Sequence, residues 1–586
     1  MADILGNLND KQVEAVTHFE GPLLVIAGAG SGKARALTHR IAYLIKERGV
    51  APWNILAVTF TNKAANEMRK RVFKMLGKKG DSDARQFFDN TIPTVGTFHS
   101  VCVRILRKHI HLLDYENSFA IYDTADQGIL MKQIMESMGL DAKRINPKAV
   151  LAHISNAKNQ LIDAEQYVSY ASDYFSEKVA EIYPTYQAGL RKNNALDFDD
   201  IIMKTVELFQ KFPDVLNEYQ EKFKFISVDE YQDTNRAQYT LIKLLAAKYR
   251  NICVIGDEDQ SIYSWRGATI QNILDFEKDY SDAKVVILEQ NYRSTQTILD
   301  GAHSIISVNN KRKDKKLWTE RDGGEKIKHW ISDNERHEGE LIAKEITELQ
   351  IGNEYPDYKS FVVLYRTNAQ SRVIEEVFLR YGLPYKIVGG LKFYARKEVK
   401  DMVAYLRIIQ NPNDSVSLMR IINVPARKIG EKTLERIHEF AVAHNLNFFD
   451  AMLLIDEIPD IQGTKTEEIT KFVKLIKELQ KANKEHSASG VIKHVLKLSG
   501  YKKMLDDGSV ENESRLENIE ELISVAHKYD ELEAGNSLSI FLEEVSLISD
   551  IDSLDETDNA VTLMRVHSAK GLEFPVVFIA GCEQGL

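Results

Sequence analysis

Several short runs in this chain are apolar at almost every position. "PLLVIA" (22–27), "NILAVTF" (54–60), "FISV" (225–228) and "NICVIG" (251–256) are each followed by a polar turn and then an amphipathic stretch, such as "TNKAANEMRKRVFKML" (61–76). A run that is apolar on both faces predicts a strand buried in a parallel sheet with helices on both sides. Residues 114–196 break this rhythm and predict helices only. A second strand-rich set opens at "KVVILEQNY" (284–292) and continues with "SFVVLYRT" (360–367). From about 389 to 550 the pattern is again helical, before "AVTLMRVHS" (560–568) and "PVVFIAG" (575–581) return to strands. The expected fold class is α/β. It has two cores, residues 1–113 with 197–281 and residues 282–385 with 555–586, and two mainly helical insertions, 114–196 and 386–554.

Composition narrows the function less than the pattern does. A chain of 586 residues exceeds a single core, and 44% hydrophobic with 28% charged residues is ordinary globular usage. The net charge of -10 excludes a globally basic nucleic-acid binder, so any such partner must meet a local groove. Three cysteines far apart, Cys102, Cys253 and Cys582, form neither a disulfide framework nor a zinc pattern. The N-terminus has no signal layout and no run is long enough to span a bilayer, so the expectation is a reducing cytoplasm and no membrane partner. The basic run "KRKDKK" (311–316) is expected to be a solvated surface.

Three segments carry chemistry. "GAGSGKARAL" (28–37) follows a predicted strand and opens a predicted helix. Small residues there let backbone N–H groups converge on an anion, and Lys33 adds a charge for the outer phosphates. The next residue should carry a hydroxyl for Mg²⁺, yet it is Ala34, which leaves room for a Gly-rich turn with an accidental lysine. "FISVDEYQDTN" (225–235) puts Asp229 and Glu230 at a strand end, one able to hold a metal-bound water and the other to deprotonate the attacking water. In "VIGDEDQSIYSWRGA" (254–268), Gln260 can sense a γ-phosphate, and Tyr263, Trp265 and Arg266 suit base stacking beside a phosphate grip. A lone tryptophan is more often core.

The ordered series "LNDKQVEAV", "AGAGSGKA", "AVTFTNKAANEM", "GTFHSVCVRILR", "LDFDD", "VDEYQDTN", "IGDEDQSIYSWRGA", "LEQNYRST", "VLYRTNAQSR", "FYARKEVKDMVAYLR" and "VHSAKGLEF" resembles superfamily 1A DNA helicases of the UvrD/Rep/PcrA group, and within it the PcrA branch. The resemblance runs along essentially the whole chain. It implies RecA-like cores 1A and 2A with insertions 1B and 2B, ATP with Mg²⁺ in the cleft between the cores, and 3′ to 5′ movement along single-stranded DNA. Gln12 would read the adenine edge and Tyr292 stack on the base. Ala29, Gly30, Ser31, Gly32, Lys33, Ala34 and Arg35 would cradle the phosphates. Asp229 would hold the magnesium and Glu230 the hydrolytic water, Gln260 and Arg293 would touch the γ-phosphate, and Glu573 the ribose. Phe60, Asn62, Tyr263, Trp265, Arg266, Arg366, Asn368 and His567 would line the single-strand path. Implied partners are single strands, single-strand/duplex junctions and repair or replication loading proteins. "IINVPARKIG" (421–430) resembles a segment that can touch duplex backbone, although a plain helix connection fits equally well.

The chain departs from this pattern at Ala34, at Arg565 where the group carries Thr, and at Ala395 where an acid is common. It ends before the block that supplies a second-core arginine, worth about 10³–10⁵ in rate in phosphoryl transfer. The expected explanation is a piece of a longer protein. The alternative reading is a hydrolysis-impaired nucleotide- and DNA-binding form of the same fold. An unrelated P-loop kinase would need neither the aromatic track nor a second core.

Overall fold

The computed structural model describes residues 4–77, 91–309, 312–313, 315–321, 323–388, 393–547 and 558–583, apart from the side chains of Arg266 and Val510. Strands β1 (Leu23–Ala27) and β2 (Ile55–Thr59) are buried at every position, as strands between two helical layers must be. Further along come β3 (Thr94–Thr97), β4 (Ala120–Tyr122), β5 (Ala195–Asp197), β6 (Phe225–Val228), β7 (Asn251–Gly256), β8 (Lys284–Leu288), β9 (Phe361–Tyr365), β10 (Tyr385–Ile387), β11 (Val561–Arg565) and β12 (Val576–Ile579).

Six strands form one sheet in the order β3-β2-β6-β7-β1-β8, and four form a second in the order β10-β11-β9-β12. Every pairing is parallel, and in the first sheet Ile26 lies beside both Gly256 and Ile287. Two departures from expectation follow. The run at 284–288 does not open the second sheet. It pairs with β1 at the edge of the first, where Val286 and Leu288 join the core that Leu23 and Val25 enter and Leu288 accepts from the Gly28 N–H. Nor is the block 114–196 purely helical. Its two ends, β4 and β5, pair as a two-stranded parallel sheet, with strands too short to register as periodicity.

The helices between 124 and 192 enclose a small apolar core around Tyr122, Met131, Ile154, Tyr183 and Tyr186. The described residues from 397 to 547 form helices and their connections around a larger one, which includes Met402, Leu406, Phe472, Ile476 and Phe541. The two helical blocks are locked together. The Tyr122 hydroxyl donates to Asp414 at 2.7 Å, and Arg407 meets Asp126 at 2.6 Å. The Asn411 amide donates to the carbonyls of Asn193 and Asn194, each at 3.0 Å. Among the described residues, no helix is long and apolar enough to cross a membrane.

Candidate nucleotide and nucleic-acid site

In a parallel sheet, chemistry gathers at the carboxyl ends of the strands. Here the ends of β6, β7, β1 and β8 lie side by side. They carry Asp229 and Glu230, Asp257 to Gln260, the glycine loop, and Asn291 to Arg293.

The glycine loop is shaped for close approach. Gly30 and Gly32 have φ of 68° and 84°, which disfavours any side chain. A Cβ on Gly32 would sit 2.6 Å from the Gln12 amide nitrogen, and one on Gly30 would lie 2.5 Å from that of Asn291. No side chain caps the helix Lys33–Lys46, whose N-cap is Gly32, so its first-turn N–H groups face the loop as an anion site. The Ser31 hydroxyl is turned inward to the Gly28 carbonyl at 2.7 Å, and Arg35 lies exposed, reaching the Asn7 carbonyl. Ala29 gives its carbonyl to the Asn291 amide at 2.6 Å.

Lys33 extends from this loop to the neighbouring strand ends. Its ammonium donates to Glu230 at 3.1 Å and to the Gln260 side-chain carbonyl at 3.2 Å. Burial works against the charge of Lys33, but Glu230, Asp257 and Asp229 more than offset it and raise its pKa. The two acids diverge. Burial and the adjacent Glu230 push Asp229 up to about 7, against the pull of Lys33 and of the Thr59 hydroxyl. Burial also opposes ionisation of Glu230, yet Lys33, Lys570 and the Gln232 amide hold it below the usual carboxylate range. Glu230 has a left-handed backbone, φ 51°, which turns its side chain off the end of β6 toward Lys33.

The expected base-binding residues are present but engaged with each other. Gln12 is fully buried. Its amide donates to the Ser31 carbonyl at 3.0 Å and accepts from the Asn9 N–H, so it serves as the capping-box residue of the helix Asp10–Thr17. Asn9 in turn donates to the Tyr292 hydroxyl at 2.8 Å. Tyr292 is partly exposed, with its backbone N–H on the Gly30 carbonyl. Arg293 forms an ion pair with Glu573 of the second sheet's connections.

The nucleic-acid candidates fall into two sets. Tyr263, Trp265 and His567 come together: the Tyr263 hydroxyl donates to the His567 carbonyl at 3.1 Å, and the Trp265 ring lies 6.3 Å from Tyr263 and 6.2 Å from His567. Trp265 is 57% exposed, which removes the core alternative. The others lie apart from this cluster. Phe60 packs half-buried on Phe98, Asn62 donates to the Leu547 carbonyl at 2.9 Å, and Arg366 and Asn368 are exposed just past β9. The Arg266 side chain lies outside the described residues.

The expectation for "KRKDKK" is overturned. Residues 311 and 314 lie outside the described residues, but Lys315 is buried and pairs with Asp257 at 2.9 Å, Glu258 at 2.7 Å and Asp259 at 2.8 Å. Arg312 joins Asp259 at 2.8 Å. Three consecutive acids at the end of β7 draw the basic segment inward, a long-range match that a local charge count cannot see. Lys570, Asn291 and Gln232 were also missed as site residues. Lys570, inside "VHSAKGLEF", crosses from the second sheet to pair with Asp233 and to reach the Gln260 backbone carbonyl at 2.7 Å. Its own motif was the signal.

This arrangement fits a nucleoside triphosphate: a loop a Cβ would fill, uncapped helix amides and one buried ammonium. Asp229 fits a divalent cation, since its buried carboxylate is repelled by Glu230 and has Thr59 as its hydroxyl partner at 3.4 Å. Ala34 offers no side-chain oxygen, and its carbonyl accepts from the Thr38 hydroxyl. A family profile for the UvrD/REP helicase N-terminal domain matches residues 8–281, and one for the UvrD-like helicase C-terminal domain matches 286–586. The chain belongs to the UvrD/REP helicase family. Among its relatives is the ATP-dependent DNA helicase PcrA of Staphylococcus epidermidis, 50% identical over 590 aligned residues that cover 100% of this chain and 79% of that protein. PcrA of Staphylococcus aureus is 49% identical over the same shares.

Proposed function

We propose that this chain is an ATP-dependent DNA helicase that moves 3′ to 5′ along single-stranded DNA and opens single-strand/duplex junctions. The observation that carries the reading is Lys33, held between Glu230 and Gln260 at a seam that Lys570 crosses from the second core. The glycine loop and the first turn of its helix would bind the phosphates. Lys33 would exchange Glu230 for the outer phosphates, freeing that carboxylate to take a proton from water. Asp229 would hold Mg²⁺, which supplies charge stabilisation when bound. Arg293 and Glu573, now paired, would separate to meet the γ-phosphate and ribose. Tyr292 would stack on the base, with Gln12 setting the loop it rests on.

On the DNA side, Tyr263 and Trp265 follow Gln260 closely in the segment after β7, so a change at the phosphates would reach the stacking surface within five residues. Phe60, Asn62, Arg366, Asn368 and His567 would extend that track over both cores. Division into cores 1A and 2A and helical insertions 1B and 2B gives the engine its two moving bodies. Loading by repair or replication proteins in the cytoplasm completes the reading. Strand displacement on partial duplexes tests it: unwinding is expected from a 3′ single-stranded tail with ATP, and unwinding only from a 5′ tail would overturn the polarity.

A further inference from the structure

The amide of Gln260 stands between two charged groups. Its nitrogen donates to the Asp257 carboxylate and its oxygen accepts from the Lys33 ammonium at 3.2 Å. A carboxylate only accepts and an ammonium only donates, so this bridge allows one orientation of the amide. Asp257 is itself part of a ring: its N–H donates to Gln232 at 3.0 Å, Gln232 donates to Glu230 at 2.7 Å, and Glu230 accepts from Lys33.

What holds Asp257 in place is Lys315. The lysine is 7% exposed and its ammonium touches Asp257, Glu258 and Asp259. Without it, three consecutive carboxylates, two of them fully enclosed, would face one another with Arg312 as the remaining close partner on Asp259. Like charges left unpaired at such close quarters swing apart. A displaced Asp257 no longer holds the Gln260 nitrogen, and the amide is free to turn its oxygen away from Lys33.

We infer that Lys315 is a positioning residue that acts through Asp257 to fix the amide of Gln260 at the triphosphate end of the site. This rests on the ATP-site reading above. The same segment has a second attachment that must be separated from this role. The Trp318 carbonyl accepts from the Asn291 N–H at 2.7 Å, Leu317 fills the space against Gly28, and Asn291 grips the Ala29 carbonyl. Loosening the segment as a whole would disturb the glycine loop and weaken every nucleotide equally. Losing the Gln260 orientation would affect only ligands that possess a γ-phosphate.

The test is a double-mutant cycle read as nucleotide affinity, with fluorescent ADP and a non-hydrolysable fluorescent ATP analogue as probes. K315M is expected to lower the preference for triphosphate over diphosphate by about tenfold, the loss of one hydrogen bond to a charged group. ADP affinity should stay within about twofold, and Q260A should show the same loss. K315M/Q260A should lose no more than either single variant, because residues acting as one unit are non-additive. D257N, which keeps Lys315, should match K315M and carries the cycle with Q260A if K315M does not fold. Multiplying losses in the double variant, or parallel loss of ADP and ATP binding in K315M, would overturn the role of Lys315. Full triphosphate preference in D257N would overturn it as well. An unchanged preference in Q260A would instead remove the ATP-site reading on which it rests.

Discussion

Between the two sheets, contact runs through long side chains on loops: Lys570 to Asp233 and the Gln260 carbonyl, Arg293 to Glu573, and the Tyr263 hydroxyl to the His567 carbonyl. The Arg293–Glu573 pair is open to solvent. Between the two helical blocks, the contacts are set into packed cores. Arg407 and Asp126 are buried together, Asp414 accepts from Tyr122 with no exposure, and Asn411 closes on two backbone carbonyls. Exposed pairs of flexible side chains hold weakly, about 0–1 kcal/mol each. Breaking a buried pair strands a charge. The nucleotide seam thus combines one buried pair, Lys570 with Asp233, with one exposed pair and a loop contact, whereas the helical seam sets an ion pair and several hydrogen bonds between two packed cores.

That contrast can be broken from either side. Glu230→Gln should keep nucleotide affinity and lose turnover by roughly 10²–10⁴, since an amide cannot take the proton from water. Single-turnover kinetics read this, and turnover at the parental rate would remove Glu230 from its role. Arg407→Met should destabilise the helical seam by about 3–5 kcal/mol by leaving Asp126 and Asp414 uncompensated. It should show as a lowered unfolding midpoint with nucleotide affinity unchanged. An unchanged midpoint would place the two seams on an equal footing. Trp265→Ala should weaken single-strand binding by roughly 1–3 kcal/mol, with little dependence on sequence, measured by fluorescence anisotropy. Equal binding would show that this exposed ring is no stacking platform. Smallest is Ala34→Thr, which restores a hydroxyl beside Lys33 and should raise turnover roughly threefold to tenfold. No rise would mean that water serves as well at that position.

Much of this was legible in the sequence because it is local. The glycine loop, the acids after β6 and the polar tip after β7 each sit at the end of an apolar run, and strand ends are where a parallel sheet collects its chemistry. Pairing across the chain was not legible. The run at 284–288 reads as a strand, but nothing in "KVVIL" says that its neighbour is β1 and not β9. The strands β4 and β5 have three residues each, below the length at which a period can be counted. Lys315 looked like solvated surface because its three partners lie more than fifty residues earlier. Gln12 stood out in its motif as a candidate, but its commitment to Ser31 and Asn9 depends on a cap that only the folded helix supplies.

In the proposed function, the two cores form an engine driven by ATP and governed by DNA. Steady-state ATP turnover should be measured with and without a single-stranded oligonucleotide, in parallel with Lys33→Ala. Single-stranded DNA is expected to raise turnover severalfold or more, and Lys33→Ala to abolish it under both conditions by removing the one ammonium the loop supplies. Turnover that ignores the oligonucleotide, or that survives in Lys33→Ala, would contradict it.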